Sequence, residues 1–248
     1  MFRLMKYELR KQLFSKVMLV TIIGALEVMF LYGLFFEKEG TIATSMGLFV
    51  FVAMGTVAFV SMESILTYSN DLKTKQSYMI FLTPNSMFKV VGAKILTTII
   101  TIGLTAAAFM AVITLNLGIV LVKYDMIAQI VDILQKIMLA AFEQKIDYSF
   151  IILFIANFVI EIIRIVIIGI ASITLSATFL SNSKLKGLVS VVFFFGITSV
   201  VGKISNLLLP SVAIIDSMAF MQMLIFECVV VSIFYFLTVW MLDKKVSV

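Results

Sequence analysis

Thr67-Tyr-Ser-Asn-Asp-Leu-Lys-Thr-Lys-Gln-Ser-Tyr-Met-Ile-Phe-Leu-Thr-Pro-Asn-Ser-Met-Phe-Lys-Val-Val-Gly-Ala-Lys94 separates two long apolar runs, Met46 to Leu66 and Ile95 to Val122. It is polar at both ends and apolar at its centre, Tyr78 to Leu82. A connection made only for water has no use for that central run. The pattern predicts a short amphipathic docking helix from Asn70 to about Phe81, then a stop and a fresh start at Leu82-Thr83-Pro84. Proline is tolerated in a first helical turn and disfavours helix in the residue before it, so Thr83 suits the N-cap of the next helix. A basic loop lying on lipid headgroups is the alternative.

The runs that flank this stretch are two of six. Of the 248 residues 62% are hydrophobic and 13% charged, too little polar surface to cover a soluble globule. A bilayer core of about 30 Å takes about 20 helical residues. The candidate spans are Val17 to Phe36, Met46 to Leu66, Ile95 to Val122, Phe150 to Leu180, Leu188 to Leu209 and Phe220 to Leu242. None alternates as a membrane-barrel strand does, so the expected fold is an all-α integral membrane protein with one transmembrane domain.

Basic residues orient it. With the amino terminus inside, the cytoplasmic segments hold Arg3, Lys6, Arg10, Lys11, Lys16, Lys73, Lys75, Lys89, Lys94, Lys184, Lys186, Lys244 and Lys245, thirteen of the 19 lysines and arginines. The outer side holds Lys38, Lys123, Lys136 and Lys145, with Lys203 near the outer end of its span. This bias places both termini in the cytoplasm. The net charge of +5 then reflects topology and calls for no nucleic acid.

Other segments carry narrower expectations. Met1 to Lys16 sets Phe2, Met5, Leu9 and Leu13 at helical spacing among Arg3, Lys6, Arg10 and Lys11, the pattern of an amphipathic helix in the inner interface. No small-residue cleavage site follows, so these residues are expected to be retained. Glu37-Lys38-Glu39-Gly40 reads as a tight outer turn. Gly103, Ala106, Ala107, Ala108 and Ala111 give the third span a face that fits close against another helix, in this chain or in a partner. Lys123 to Ser149 reads as an amphipathic outer segment, and Ser205 to Ala219 as either a re-entrant hairpin or an extension of its flanking spans.

Absences prune the chemistry. Without histidine there is no imidazole catalysis or ligation, and the single Cys228 makes no intrachain disulfide. No metal site is expected. Gly196 to Ile204 resembles a phosphate loop, but it has five residues between Gly196 and Gly202 where the motif has four, and Ile204 where a hydroxyl should meet magnesium. Five charges lie within spans: Glu27, Glu63, Glu161, Arg164 and Glu227. Each costs about 2.5 to 3.5 kcal/mol at a helix centre, so each should face protein or water. Glu161 and Arg164 are spaced to pair on one helix face. Glu27 and Glu227 are left to pair with Arg164 across helices, to carry a proton, or to line a pathway for a cationic substrate. Glu63 lies near the inner end of its span.

A basic amino-terminal helix containing Lys6-Tyr7-Glu8, six spans, and a central segment ending in Leu82-Thr83-Pro84-Asn85-Ser86 with Lys94 downstream together resemble a type-2 ABC transporter permease of the exporter class. Small permeases of this kind include the membrane subunits of exporters for phenol-soluble modulins and of lantibiotic immunity transporters. The resemblance implies a bacterial plasma-membrane protein that pairs with a second permease, identical or paralogous, and with two ATP-binding subunits. ATP and magnesium would sit in those subunits, the substrate would be an amphipathic or toxin peptide, and this chain would be no enzyme. The coupling residues would be Asn70, Asp71, Leu72, Lys73, Lys75, Tyr78 and Phe81. A stand-alone ion-coupled carrier or channel using the buried glutamates, or a peptide-binding immunity protein, would account for the same spans.

Overall fold

A computed structural model describes residues 2–73, 86–125, 132, 135, 148–179, 186–209 and 217–244. Among them are seven helices and no strand: α1 Phe2–Lys11, α2 Leu13–Phe35, α3 Glu39–Lys73, α4 Met87–Lys123, α5 Tyr148–Phe179, α6 Lys186–Leu208 and α7 Ser217–Lys244. The six from α2 to α7 are each long and apolar enough to cross a bilayer, which makes this a multi-pass membrane protein. All six expected spans are present. Two run well past their apolar runs: α3 continues through Asn70, Asp71 and Leu72 to Lys73, and α4 begins before Lys94. Asn70 to Lys73 are thus the last turn of a span, not the first turn of a separate docking helix.

The amino-terminal helix is also shorter than its pattern indicated. It ends at Lys11, and Leu13 to Lys16 belong to α2. Lys75, Tyr78, Phe81 and Thr83 lie outside the described residues, as do most of 123–149 and the segment 210–216. The described part of α4 starts after Ser86, whose carbonyl accepts from Lys89 and Val90.

The chain forms two compact units. The first comprises Met1–Leu13, Ala58–Thr101 and Ser149–Val248. Among the described residues, three clusters build the core of this unit. Tyr68, Val166, Ile170 and Ile173 join α3 to α5; Val91, Ile167, Val239 and Leu242 join α4, α5 and α7; Ile168, Val201 and Val230 join α5, α6 and α7. A Cβ on Gly169 would lie 2.5 Å from Cδ1 and 2.7 Å from Cγ1 of Ile65, so α3 and α5 approach closely because position 169 carries no side chain.

The second unit comprises Phe14–Val57 and Ile102–Tyr148 and is centred on Phe30, Ile42, Phe49 and Phe109. The expected turn over Glu37 to Gly40 is shorter and earlier: it covers Phe36 to Lys38, and Glu39 and Gly40 already belong to α3. Glu37 adopts φ 53°, and the Lys38 amide donates to the Gly33 carbonyl at 2.9 Å, the closing bond of a Schellman cap. Gly33 lies against the start of α3, where its Cβ would stand 3.0 Å from the Ile42 backbone nitrogen. Lys123 donates to the carbonyl of Leu34 and so satisfies one of the last open carbonyls of α2.

Candidate functional site

The most densely charged part of the first unit is built from three helices. In α1, Glu8 and Lys11 are three apart and share a face. In α3, the extension beyond the apolar run brings Asp71 to the last turn, and in α4, Lys94 follows seven residues after the helix start. Lys94 is 3% exposed and donates to Glu8 Oε1 at 2.9 Å and to Asp71 Oδ2 at 2.6 Å. Lys11 donates to the other oxygen of Asp71. The Lys94 ammonium also lies 5.8 Å from the centre of the Tyr68 ring. Two lysines and two carboxylates cancel, and each of the four touches at least one opposite charge, which is how charge survives burial.

A layer of hydroxyls continues the cluster toward the middle of the same unit. Thr98 donates to Ser64 at 2.7 Å, linking α4 to α3, and the hydroxyls of Tyr68 and Thr174 meet at 2.6 Å, linking α3 to α5. Most other buried threonines and serines here donate to a carbonyl one turn earlier in their own helix, as Thr97, Thr101 and Ser172 do. The polar side chains thereby close on backbone rather than open a channel.

Arg164 and its carboxylates form a second charged site in this unit. Arg164 reaches Glu161 Oε1 at 3.4 Å within α5 and Glu227 Oε2 on α7 at 2.9 Å. The second contact is the closer, but its direction is poor: neither Arg164 Nε nor Glu227 Oε2 has a hydrogen-bond partner, so the pair holds by charge alone. Glu227 is buried, whereas the Glu161 side chain is 51% exposed. The expected Glu161 and Arg164 pair is present, and Glu227 takes the cross-helix option.

Glu27 does not meet Arg164. It belongs to the second unit, where its Oε2 accepts from the Asn116 amide of α4 at 2.9 Å. Glu63 is half-buried in α3.

The coupling residues are distributed differently from the expectation. Asn70 is exposed, but Asp71 is buried in the charge cluster and Leu72 packs against Tyr68 on one side and Val91 on the other. A helix that continues past residue 66 turns Asp71 inward and leaves Leu72 half-buried. Sequence reasoning missed Glu8 and Lys94 as a pair. In the sequence Lys94 belongs to the basic inner border, and the signal for its burial is the missing turn between Lys89 and Ile95. Among the described residues the small-residue face is exposed at Gly103, Ala106, Ala107 and Ala111. Residues Gly196 to Ile204 are uninterrupted α6 helix, which rules out a phosphate loop there.

No protein-family model, curated protein or solved structure matches this chain.

Proposed function

We propose that this chain is the membrane-spanning permease subunit of an ATP-driven ABC exporter that moves amphipathic or toxin peptides out of a bacterial cell by alternating access. The observation that carries this reading is the cluster of Glu8, Lys11, Asp71 and Lys94. It ties the end of α3 and the start of α4 to each other and to α1, at the two points where the chain enters and leaves residues 74–85. A partner that pushes on that connection moves both helices as one lever.

Such a lever needs only a differential affinity of ATP and substrate for two arrangements of the bundle. ATP and magnesium belong to the partner subunits in this reading, and the chain performs no bond chemistry. The lysine and arginine bias supports a cytoplasmic position for both termini and for residues 74–85. The exposed stripe of Gly103, Ala107 and Ala111 supports a second permease copy or paralogue, because small residues four apart let helices approach closely.

The test is capture of the tagged chain from its native membrane in mild detergent, followed by mass spectrometry and an ATPase assay. An ATP-binding subunit in equal amount, lost when Tyr78 and Phe81 are changed to aspartate, is the expected result. Recovery of the chain without any ATPase would overturn the reading. It would favour the ion-coupled carrier, for which Glu27, with an amide rather than a cation as its partner, is the supporting observation.

A further inference from the structure

Glu27 is the one carboxylate of α2, and the helix places it far from every basic residue of its own strand of sequence. It lies eleven residues after Lys16 on the same helix, about 16 Å at 1.5 Å per residue, and eight before the helix ends at Phe35, with Lys38 beyond the turn. Asn116 lies seven residues before Lys123, about 10 Å along α4. Lys123 is engaged with the Leu34 carbonyl and lies 3.9 Å from Glu37, and Lys38 donates to the Tyr32 hydroxyl. Among the described residues, no cation of the second unit is therefore in reach of Glu27.

Its surroundings are apolar. Ile23, Leu26 and Phe30 of the same helix pack with Phe49, Phe109, Val112 and Ile113. Asn116 is 1% exposed and fixes one carboxylate oxygen, while the other has no partner among the described residues. One turn before Glu27, Gly24 is exposed and a Cβ there would meet open space, so the surface of α2 beside the carboxylate carries a notch only the depth of the missing side chain. A carboxylate at mid-span with one neutral partner is a strong attractor for positive charge, because low polarity weakens its competition from water.

We infer that Glu27 and Asn116 form a binding site for an ammonium group carried on an apolar body, with the cation on Glu27 and the apolar part along the Gly24 notch. Ammonium groups of this kind occur on amphipathic peptides and on aminolipids. The mid-span depth, about 16 Å from Lys16 along the helix, favours a translocating amphiphile over a resident headgroup. The inference draws on the export reading only for what the ligand is for. Binding itself needs no ATPase, so the two can fail separately.

The experiment uses the full chain in phosphatidylcholine nanodiscs, with n-dodecylamine as the probe and n-dodecanol as its uncharged counterpart, read by calorimetry and by the thermal unfolding midpoint. Dodecylammonium should bind and raise the midpoint where dodecanol does not. Glu27→Gln keeps an acceptor for Asn116 and should fold normally, but should weaken dodecylammonium binding at least about tenfold, the scale of a charge-assisted hydrogen bond. Gly24→Leu leaves both polar residues intact and should weaken binding by filling the notch, with the midpoint of the free chain retained. Equal binding of dodecanol, or unchanged binding to Glu27→Gln, would overturn the site. Loss of dodecylammonium binding when phosphatidylethanolamine is added to the nanodisc would assign the ammonium to lipid and overturn the translocating source.

Discussion

The first unit pairs its buried charges with opposite ones, and the second holds a half-buried carboxylate whose described partner is neutral. Lys94 and Lys11 meet Glu8 and Asp71 across three helices, and Arg164 meets Glu227 and Glu161 across two. Glu27 meets only the amide of Asn116. Within a low-dielectric bundle these arrangements do different work. A closed set of opposite charges fixes the helices that carry it, because separating the ions returns each to an environment that cannot solvate it. A carboxylate held by an amide is oriented with no cation beside it, so the place of a cation is open.

The contrast breaks first at Lys94. Lys94→Met removes the cation that touches both Glu8 and Asp71 and leaves two carboxylates for Lys11. The cost should be about 3 to 5 kcal/mol, the range for stranding a buried charge. It should appear as a large fall in the thermal midpoint of the purified chain, and Lys94→Arg should recover part of it. If Lys94→Met were as stable as the parent, the cluster would not be what holds α1, α3 and α4 together.

Arg164 sharpens the same point. Its contact with Glu227 is short but badly directed, and Glu161 is open to its surroundings. Arg164→Met strands one buried carboxylate rather than two and should cost about 3 kcal/mol. The paired change Arg164→Met with Glu227→Leu should restore most of that loss, since replacing a buried ion pair with apolar groups is often neutral or better. A double variant no more stable than the single one would show that Glu161, not Glu227, is the carboxylate that Arg164 supports.

The spans were legible because hydropathy and length are local properties, read from any run of about 20 residues. All six are where the apolar runs indicated, and the Arg164 and Glu161 pair followed from spacing on one helix. The principal charge cluster was hidden because its members are distant in sequence: Lys94 lies 86 residues from Glu8 and 23 from Asp71. Nothing local distinguishes a lysine that borders a membrane from one buried against two carboxylates. The burial of Asp71 was hidden for a related reason. Polar composition marks where the apolar run ends, but an α-helix continues wherever its polar positions find partners, and Asp71 found Lys94.

Two glycines, one in each unit, have opposite surroundings. Gly169 in the first unit faces Ile65, with Cγ1 of that β-branched side chain 2.7 Å from the position of an added Cβ. A β-branched residue in a helix is held to one dominant rotamer, so Ile65 cannot swing aside cheaply. Gly169→Ala should destabilise by about 1 to 3 kcal/mol through overpacking, and Ile65→Ala placed with it should relieve part of the clash. Gly24 in the second unit has nothing within 4 Å of its added Cβ. There the same substitution only exchanges a poor helix former for a good one, a gain of at most about 1 kcal/mol. Measured side by side as midpoints of the purified chain, the two alanines should move in opposite directions. A loss at Gly24 comparable to that at Gly169 would mean that a neighbouring helix closes on the notch, and the space beside Glu27 would then be packed rather than open to an apolar ligand.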